Sequence, residues 1–306
     1  MNIKEVKTPS MTWVNISQVD TEAIAYLKEH YNFHHLDYED IQGEMQAPKI
    51  DTYKNYIFLI VQFPSWNNIT KKIITHEVNI FVGSHFLITI HRTKSDEINQ
   101  FFASRMKSKR VQKQWMNTTT GFCLYKLLES LYKLNRPILN TMGKELAVLE
   151  ESIFQGKQDI NTVKELSIHR RNILHFRRMI DPQRYLIANL SHIRKPFINE
   201  ETSLYFDDIH DYLNKTWVII NTYEDTVNGL HVTVESLINQ KTNKVISTLT
   251  IISVGLLPFT VLSSIYGMNI MGLPFAHEPK WVWLMFITLA CIVIVLITLM
   301  RKKTSI

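Results

Sequence analysis

Two long stretches without a charged residue lie near the C-terminus, and they constrain the fold of this chain more than any other feature. They extend over residues 245–265 and 281–300. A helix of about 20 apolar residues crosses the roughly 30 Å of hydrocarbon in a bilayer, so each stretch matches one membrane crossing. Tyr266, Trp281 and Trp283 lie at their ends, where membrane helices are enriched in aromatic residues. A buried core helix would explain one such stretch, but two with aromatic ends favour membrane-spanning helices.

The basic residues around these stretches predict their orientation. Lys241 and Lys244 precede the first stretch and residues 301–303 (Arg-Lys-Lys) follow the second, whereas the connecting loop has one lysine and one glutamate. Because positive residues stay on the cytosolic side, we expect a multi-pass protein of the cell membrane with both termini in the cytosol and the loop outside. The N-terminus has no apolar signal-like segment and no transit-like stretch.

Several classes of function have no support in the sequence. The net charge is +6, but no lysine or arginine run marks a nucleic-acid-binding arm, so no nucleic-acid partner is predicted. The two cysteines, Cys123 and Cys291, fall in different predicted helices, which argues against a disulfide or thiolate metal site. No phosphate-binding glycine loop or catalytic triad pattern occurs, so we expect neither an enzyme nor a catalytic cofactor. The basic cluster of Arg170, Arg171, Arg177 and Arg178 is interpreted as a solvated or salt-bridged helix face.

The N-terminal third predicts a mixed α+β fold. Residues 56–63 form an apolar β-rich run that ends at Pro64, and residues 73–82 and 86–91 flank a Gly-Ser-His turn typical of a hairpin. Residues 21–40 show helical spacing, with Thr21 as the expected N-cap.

The remainder of the chain predicts long helices. Apolar spacing indicates one helix over residues 118–153, kinked at Pro137, and a second over residues 163–180 that breaks or restarts at Pro182. No proline occurs between residues 201 and 257, so a single helix of about 100 Å is expected over residues 202–266. Its polar first part lacks a core of its own and needs partner helices, which oligomerisation supplies.

One face of the first apolar stretch alternates bulky apolar and small polar side chains. Its positions step by three or four residues and so share one side of a helix: Asn243, Ile246, Leu249, Ser253, Leu257, Thr260 and Ser264. A ring of identical chains would turn them into polar collars and apolar constrictions that line a pore. Helix–helix packing, which also favours serine and threonine, explains the stripe equally well.

The loop that follows the first stretch begins with Tyr266-Gly267-Met268-Asn269. This motif between two C-terminal membrane segments resembles the signature of the CorA family of magnesium channels. Further similarity covers the pore-helix pattern in residues 241–260, the segment Tyr-Phe-Asp-Asp-Ile-His-Asp at 205–211 that resembles the start of the family's stalk helix, and one strand at 86–91.

The resemblance implies a homopentameric funnel embedded in the lipid bilayer. Each chain would contribute an α/β/α cytosolic domain with flanking long helices over residues 1–200. A stalk over residues 201–266 would continue into a pore-lining membrane helix at about 245–266. An external loop at 267–280, a second membrane helix at 281–300 and a basic cytosolic tail at 301–306 would follow. The family's pore positions match Asn243, Ile246, Leu249, Leu257 and Thr260 of the stripe.

The same resemblance assigns the ion sites. Gly267, Met268 and Asn269 would form a selectivity filter in which Asn269 amides bind the water shell of Mg2+, an ion that dehydrates reluctantly. Tyr266 and Met268 would brace the loop. Glu278 is the acidic residue available in place of the one that relatives carry earlier in this loop. On sequence alone, Asn269 is equally well explained as a turn residue.

A regulatory site is also implied by the resemblance. Asp208 at the start of the stalk would pair with Asp96 of the neighbouring subunit around a regulatory Mg2+, with Asp211 as an additional candidate ligand. Spacing alone permits the simpler interpretation of an acidic first helical turn. The resulting hypothesis is Mg2+ influx, with Co2+ and Ni2+ as further ions, gated by intracellular Mg2+. The alternatives are a zinc-transporting member of the superfamily, which Met268 disfavours, and a non-conducting membrane-anchored structural or signalling protein.

Overall fold

The computed structural model describes residues 2–92, 102–104, 107, 109–156, 160–269, 273–274 and 278–304. The chain divides into two compact units, Met1–Val232 and Thr233–Ile306. The first unit combines a β-sheet with helices, and the described part of the second consists of two helices and the segments joining them. The predicted α+β class is therefore confirmed.

Among the described residues of the first unit, six strands form one mixed sheet. They are β1 (Ile3–Lys7), β2 (Thr12–Ile16), β3 (Lys49–Thr52), β4 (Tyr56–Asn67), β5 (Lys72–Gly83) and β6 (Phe86–His91), in the spatial order β1-β2-β6-β5-β4-β3. Strands β2 and β6 run parallel, and the other neighbouring strands are antiparallel. The predicted hairpin is β5–β6. Pro64 does not end β4, which continues to Asn67. Strand β3 pairs only with residues 57–60 of β4, so beyond them β4 has a strand partner on one side only, and a proline without an amide hydrogen is tolerated there.

Two short helices, α1 (Thr21–His30) and α2 (His35–Gln42), cover one face of the sheet. The N-cap of α1 is Asp20 rather than the predicted Thr21, because the Asp20 carboxylate accepts a hydrogen bond of 2.7 Å from the Ala23 amide. Leu27 and Phe33 from this layer pack with Phe58 and Phe81 of the sheet. Burial of each such side chain contributes about 1.5–3 kcal/mol.

The other face carries α3 (Lys109–Met116), α4 (Thr120–Lys133), α5 (Asn135–Phe154) and α6 (Ile160–His192). Trp13 of β2 stacks on Trp115 with ring centroids 6.1 Å apart, and Phe63 of β4 meets Tyr132 at 5.2 Å. The Gln183 side chain joins the two layers, since its amide nitrogen donates to the Gln62 carbonyl oxygen at 2.8 Å. Helices on both faces make the first unit an α/β/α sandwich.

Two prolines act differently from the sequence-based prediction. The helix expected over 118–153 is broken at Leu134 into α4 and α5, and Pro137 lies in the first turn of α5. The break precedes the proline because its ring conflicts with the carbonyl four residues earlier, that of Lys133. Pro182, in contrast, lies inside an unbroken α6.

Two long helices account for the apolar C-terminal stretches. Helix α7 extends over Glu200–Tyr266 and passes through Pro258, and α8 extends over Pro279–Thr304. Their most apolar windows have mean hydropathies of 2.1 and 2.9, and both helices are long and apolar enough to cross a membrane. The part of α7 from Thr233 onward lies in the second unit together with α8.

Candidate functional site

The stripe identified in the sequence lies on one side of α7 in the second unit. All of its members are exposed in the single chain: Asn243, Ile246, Leu249, Ser253, Leu257, Thr260 and Ser264. Exposed fractions of 55%, 63% and 57% for Ile246, Leu249 and Leu257 mean that these large apolar side chains have not been buried by any described part of the chain.

A different side of α7 packs on α8. A β-carbon added to Gly255 would lie 3.2 Å from Cδ1 of Ile297 and 3.4 Å from Cγ1 of Val293, so the two helices approach closely at this glycine. One turn further, Phe259 stacks on Phe286 with ring centroids 6.5 Å apart. Packing between the two helices of one chain therefore does not account for the stripe, which is left available to a pore or to other copies.

The Tyr-Gly-Met-Asn segment lies where α7 ends. The Gly267 amide donates to the Ser263 carbonyl at 2.9 Å and the Met268 amide donates to the Ile265 carbonyl at 3.3 Å, which closes the last helical turn. A β-carbon on Gly267 would lie 3.1 Å from the Ser263 oxygen, so a small residue relieves crowding there. Asn269 follows, exposed and free of the helix.

Tyr266 contacts both the loop that follows α7 and helix α8. Its hydroxyl donates a hydrogen bond of 3.0 Å to the Pro274 carbonyl oxygen and also lies 3.5 Å from Sδ of Met285 in α8. This contact fits the bracing role expected for Tyr266. Met268 is 53% exposed and adds little packing within the chain. Glu278 is exposed immediately before α8.

Asp208 lines a cavity in the first unit. The cavity has a volume of about 130 Å³ and lies between α4 and α7, with Glu129, Tyr132, Lys133, Asp208, Ile209, Tyr212 and Lys215 around it. Burial and then the Glu129 carboxylate raise the pKa of Tyr125 to about 12, with a further contribution from Asp208. The two carboxylates thus create one negative region.

Lysines counter the negative charge of this cavity. Glu129 forms salt bridges of 2.7 Å with Lys133 and 3.7 Å with Lys126. Burial by itself would raise the pKa of Glu129, but hydrogen bonding and charge from Lys133, with Lys126, hold it below the usual range. Lys215, about two helical turns beyond Asp208 on α7, also lines the cavity. Sequence reasoning missed these lysines because Lys126 and Lys133 come from a different helix.

The other predicted regulatory residues have different positions. Asp211 is exposed and does not line the cavity. Asp96 lies outside the residues that the structure describes, so its relation to Asp208 stays a prediction.

A second acidic group was not predicted from the sequence, because its members come from separate elements. Carboxylate oxygens of Asp37, Asp40 and Asp51 lie within 4.8 Å of one another. Buried Asp37 accepts hydrogen bonds from the hydroxyls of Tyr53 and Tyr56, at 2.7 Å and 2.6 Å. Lys49 contacts Asp40 at 2.6 Å and Asp51 at 2.8 Å. The lysine ammonium supplies the positive charge that a metal ion would bring, so we interpret this group as structural.

Known proteins resemble the chain along almost its whole length. The family model described as "CorA-like Mg2+ transporter protein" matches residues 9–302. The cobalt/magnesium transport protein CorA of Thermotoga maritima is 26% identical over 306 residues, which cover 98% of this chain and 84% of that protein. The zinc transport protein ZntB of Pectobacterium carotovorum is 21% identical over 202 residues, or 66% of this chain and 59% of that protein.

The fold has a close counterpart among solved structures. The complete structure of the CorA magnesium transporter from Methanocaldococcus jannaschii matches with a TM-score of 0.82 at 20% identity, covering 98% of this chain and 93% of that one. The match includes both the sandwich and the C-terminal helices. The chain therefore belongs to the CorA-like Mg2+ transporter protein family, whose members are membrane transporters of divalent cations and not enzymes.

Proposed function

We propose that the chain forms a homopentameric channel for passive Mg2+ influx, with Co2+ and Ni2+ as further permeant ions. The observation that carries this proposal is the exposed stripe on α7, which faces away from the packing contacts with α8. Two membrane helices in one chain cannot enclose a pore, whereas a ring of copies can place this stripe around a central axis.

The stripe has the chemistry of a gated pore. Ile246, Leu249 and Leu257 would form apolar rings that exclude water when narrow. Asn243, Ser253, Thr260 and Ser264 would add rings of amide and hydroxyl groups that hydrogen-bond to water around the ion.

Asn269, together with Gly267 and Met268, forms the proposed filter at the outer mouth. Amide oxygens from each copy would accept hydrogen bonds from the water shell of Mg2+ without stripping it. The Tyr266–Pro274 hydrogen bond supports this role, because it limits the motion of the loop that carries Asn269.

The inward-negative membrane potential supplies the driving force. A doubly charged ion gains about 4.6 kcal/mol per 100 mV, so no coupled ATP hydrolysis is required. The lysines and arginine flanking the membrane segments support cytosolic termini and an external loop in the cell membrane.

The proposed regulatory site is a Mg2+ ion shared between Asp208 and Asp96 of a neighbouring copy. Two facing carboxylates repel each other, and a bound divalent ion converts that repulsion into a bridge. High internal Mg2+ would then hold the copies together and close the pore. This requires that the ion bind the closed state more tightly than the open state.

Zinc transport is the second candidate function, and the similarity to ZntB favours retaining it. Competition flux in proteoliposomes distinguishes the candidates. We expect Mg2+ to enter the proteoliposomes. Co2+ and Ni2+ should inhibit this entry, and Zn2+ should inhibit it less than they do. Zn2+ entry without Mg2+ entry would assign the chain to zinc, and no flux of any of these ions would leave only a membrane anchor.

A further inference from the structure

Three arginines line one groove on the surface of the first unit. The groove has a volume of about 370 Å³ and lies along α6, where it is bordered by Ser167, Arg170, Arg171, Leu174, His175 and Arg178. These positions recur every three or four residues, so they share one side of the helix. We refer to this feature as the arginine groove.

The charges of the groove are unbalanced. Among the residues that the structure describes, no carboxylate pairs with Arg170, Arg171 or Arg178. Their neighbours on the same helix are paired, since Arg177 forms a salt bridge with Glu224 and Arg184 forms one of 3.0 Å with Asp181. The fold therefore satisfies the arginines that point away from the groove and leaves three cations together within it.

The positive charge of the groove acts on the side chain of His175. Its Nε2 lies 2.7 Å from Oγ1 of Thr75 in β5, which fixes the ring at the groove wall. Burial lowers the pKa of His175, and Arg178 and Arg171 lower it further because they disfavour a second positive charge nearby. The two guanidinium groups thus act on the same space.

We propose that the arginine groove binds the oligophosphate group of a soluble molecule. Each guanidinium presents a planar fork of donors that matches two phosphate oxygens, and several forks along one groove suit a chain of phosphates better than one carboxylate. The Ser167 hydroxyl at one end of the groove donates its only hydrogen to the Val163 carbonyl at 2.9 Å, so the guanidinium groups supply the donors for the phosphate oxygens. This site is separate from the proposed ion pathway and does not depend on conduction.

Calorimetric titration of the full-length protein with inorganic tripolyphosphate tests the proposal. EDTA is present throughout, so that the probe cannot act by removing Mg2+ from the protein. We expect saturable binding that the Arg171→Gln/Arg178→Gln double variant weakens about tenfold or more, since bonds to charged groups are the strong ones. Both arginines are exposed and have no carboxylate partner in the part of the chain that the structure describes, so the variant should keep its thermal stability.

The control is Arg136→Gln, which removes an exposed arginine of α5 outside the groove. If Arg136→Gln weakens tripolyphosphate binding as much as Arg171→Gln or Arg178→Gln alone does, the effect is one of general charge and the proposal is overturned. The absence of saturable binding would also overturn it. The titration is repeated in nanodiscs with and without anionic phosphatidylglycerol. Unchanged affinity supports a soluble ligand, whereas competition by the lipid would assign the groove to lipid phosphate and overturn the soluble source.

Discussion

Asn269 is the residue on which the proposed selectivity depends most. It lies just past the last turn of α7, is exposed, and is carried by a loop that the Tyr266 hydroxyl ties to Pro274. We predict that Asn269→Ala abolishes Mg2+ uptake and leaves the oligomer intact, because it removes amide acceptors without disturbing a core. Uptake and light scattering measured on the same preparation check this. Asn140→Ala, at an exposed position of α5, should be silent in both, and normal uptake by Asn269→Ala would refute the filter assignment.

Alanine substitutions of Gly121 and Gly229 are expected to change the stability of the protein in opposite directions. A β-carbon on Gly121 would lie 2.0 Å from the Phe197 carbonyl oxygen, so Gly121→Ala must displace backbone and should destabilise the protein by about 1–3 kcal/mol. Among the described residues, no atom outside the backbone of α7 itself lies within 4 Å of a β-carbon on Gly229, so Gly229→Ala should stabilise the protein by about 0.5–1 kcal/mol. Melting temperatures that fall for the first and rise for the second are expected. A neutral Gly121→Ala would contradict the close contact.

At the scale of elements, local patterns predicted the types of most helices and strands but not all of their ends. The β5–β6 hairpin and the long α7 followed from alternation, turn residues and the absence of proline. The effect of a proline depends on its surroundings: Pro64 is buried in the part of β4 with which β3 does not pair, and Pro182 is accommodated inside α6. Such surroundings are tertiary and do not appear in the local sequence.

The candidate sites were predictable to different degrees. The stripe on α7 follows from helical spacing alone, so its common exposed side could be derived from the sequence. The Asp208 cavity could not be derived from the sequence, because Glu129 and Lys133 line it from α4, far from Asp208 along the chain. The arginine cluster was visible in the sequence. The sequence could not show that Arg177 pairs with Glu224 while the other three have no carboxylate partner among the described residues, because Glu224 comes from another helix.

Leu249→Asp tests the assigned function of the α7 stripe. If this face lines the pore, a ring of carboxylates replaces an apolar constriction, water enters and the barrier to ions falls. We predict Mg2+ leak that persists at high internal Mg2+, measured as flux from loaded vesicles. Leu249→Val keeps the ring apolar and should not leak. A well-folded Leu249→Asp protein that stays closed would show that the pore lies on another face.

At the scale of the whole molecule, the Asp208 cavity should set the Mg2+ concentration at which the assembly closes. Asp208→Ala, and separately Asp96→Ala, should weaken Mg2+-dependent protection from proteolysis and allow flux at internal concentrations that silence the parent. Lys215→Gln should shift closure in the opposite direction, to lower Mg2+, because it removes an ammonium that repels the ion from the same cavity. Protease titration against Mg2+ gives the midpoints. Unchanged midpoints in both aspartate variants would place the sensor elsewhere.

In the proposed function, copies of this chain conduct Mg2+ passively along the membrane potential. The most direct measurement is Mg2+ entry into dye-loaded proteoliposomes while an inside-negative potassium diffusion potential is varied in steps, without ATP. We expect Mg2+ entry to accelerate as the interior becomes more negative, since a double charge gains about 4.6 kcal/mol per 100 mV. Entry should be lost in Asn269→Ala. Properly assembled protein that admits no Mg2+ at any potential would refute passive conduction by this chain.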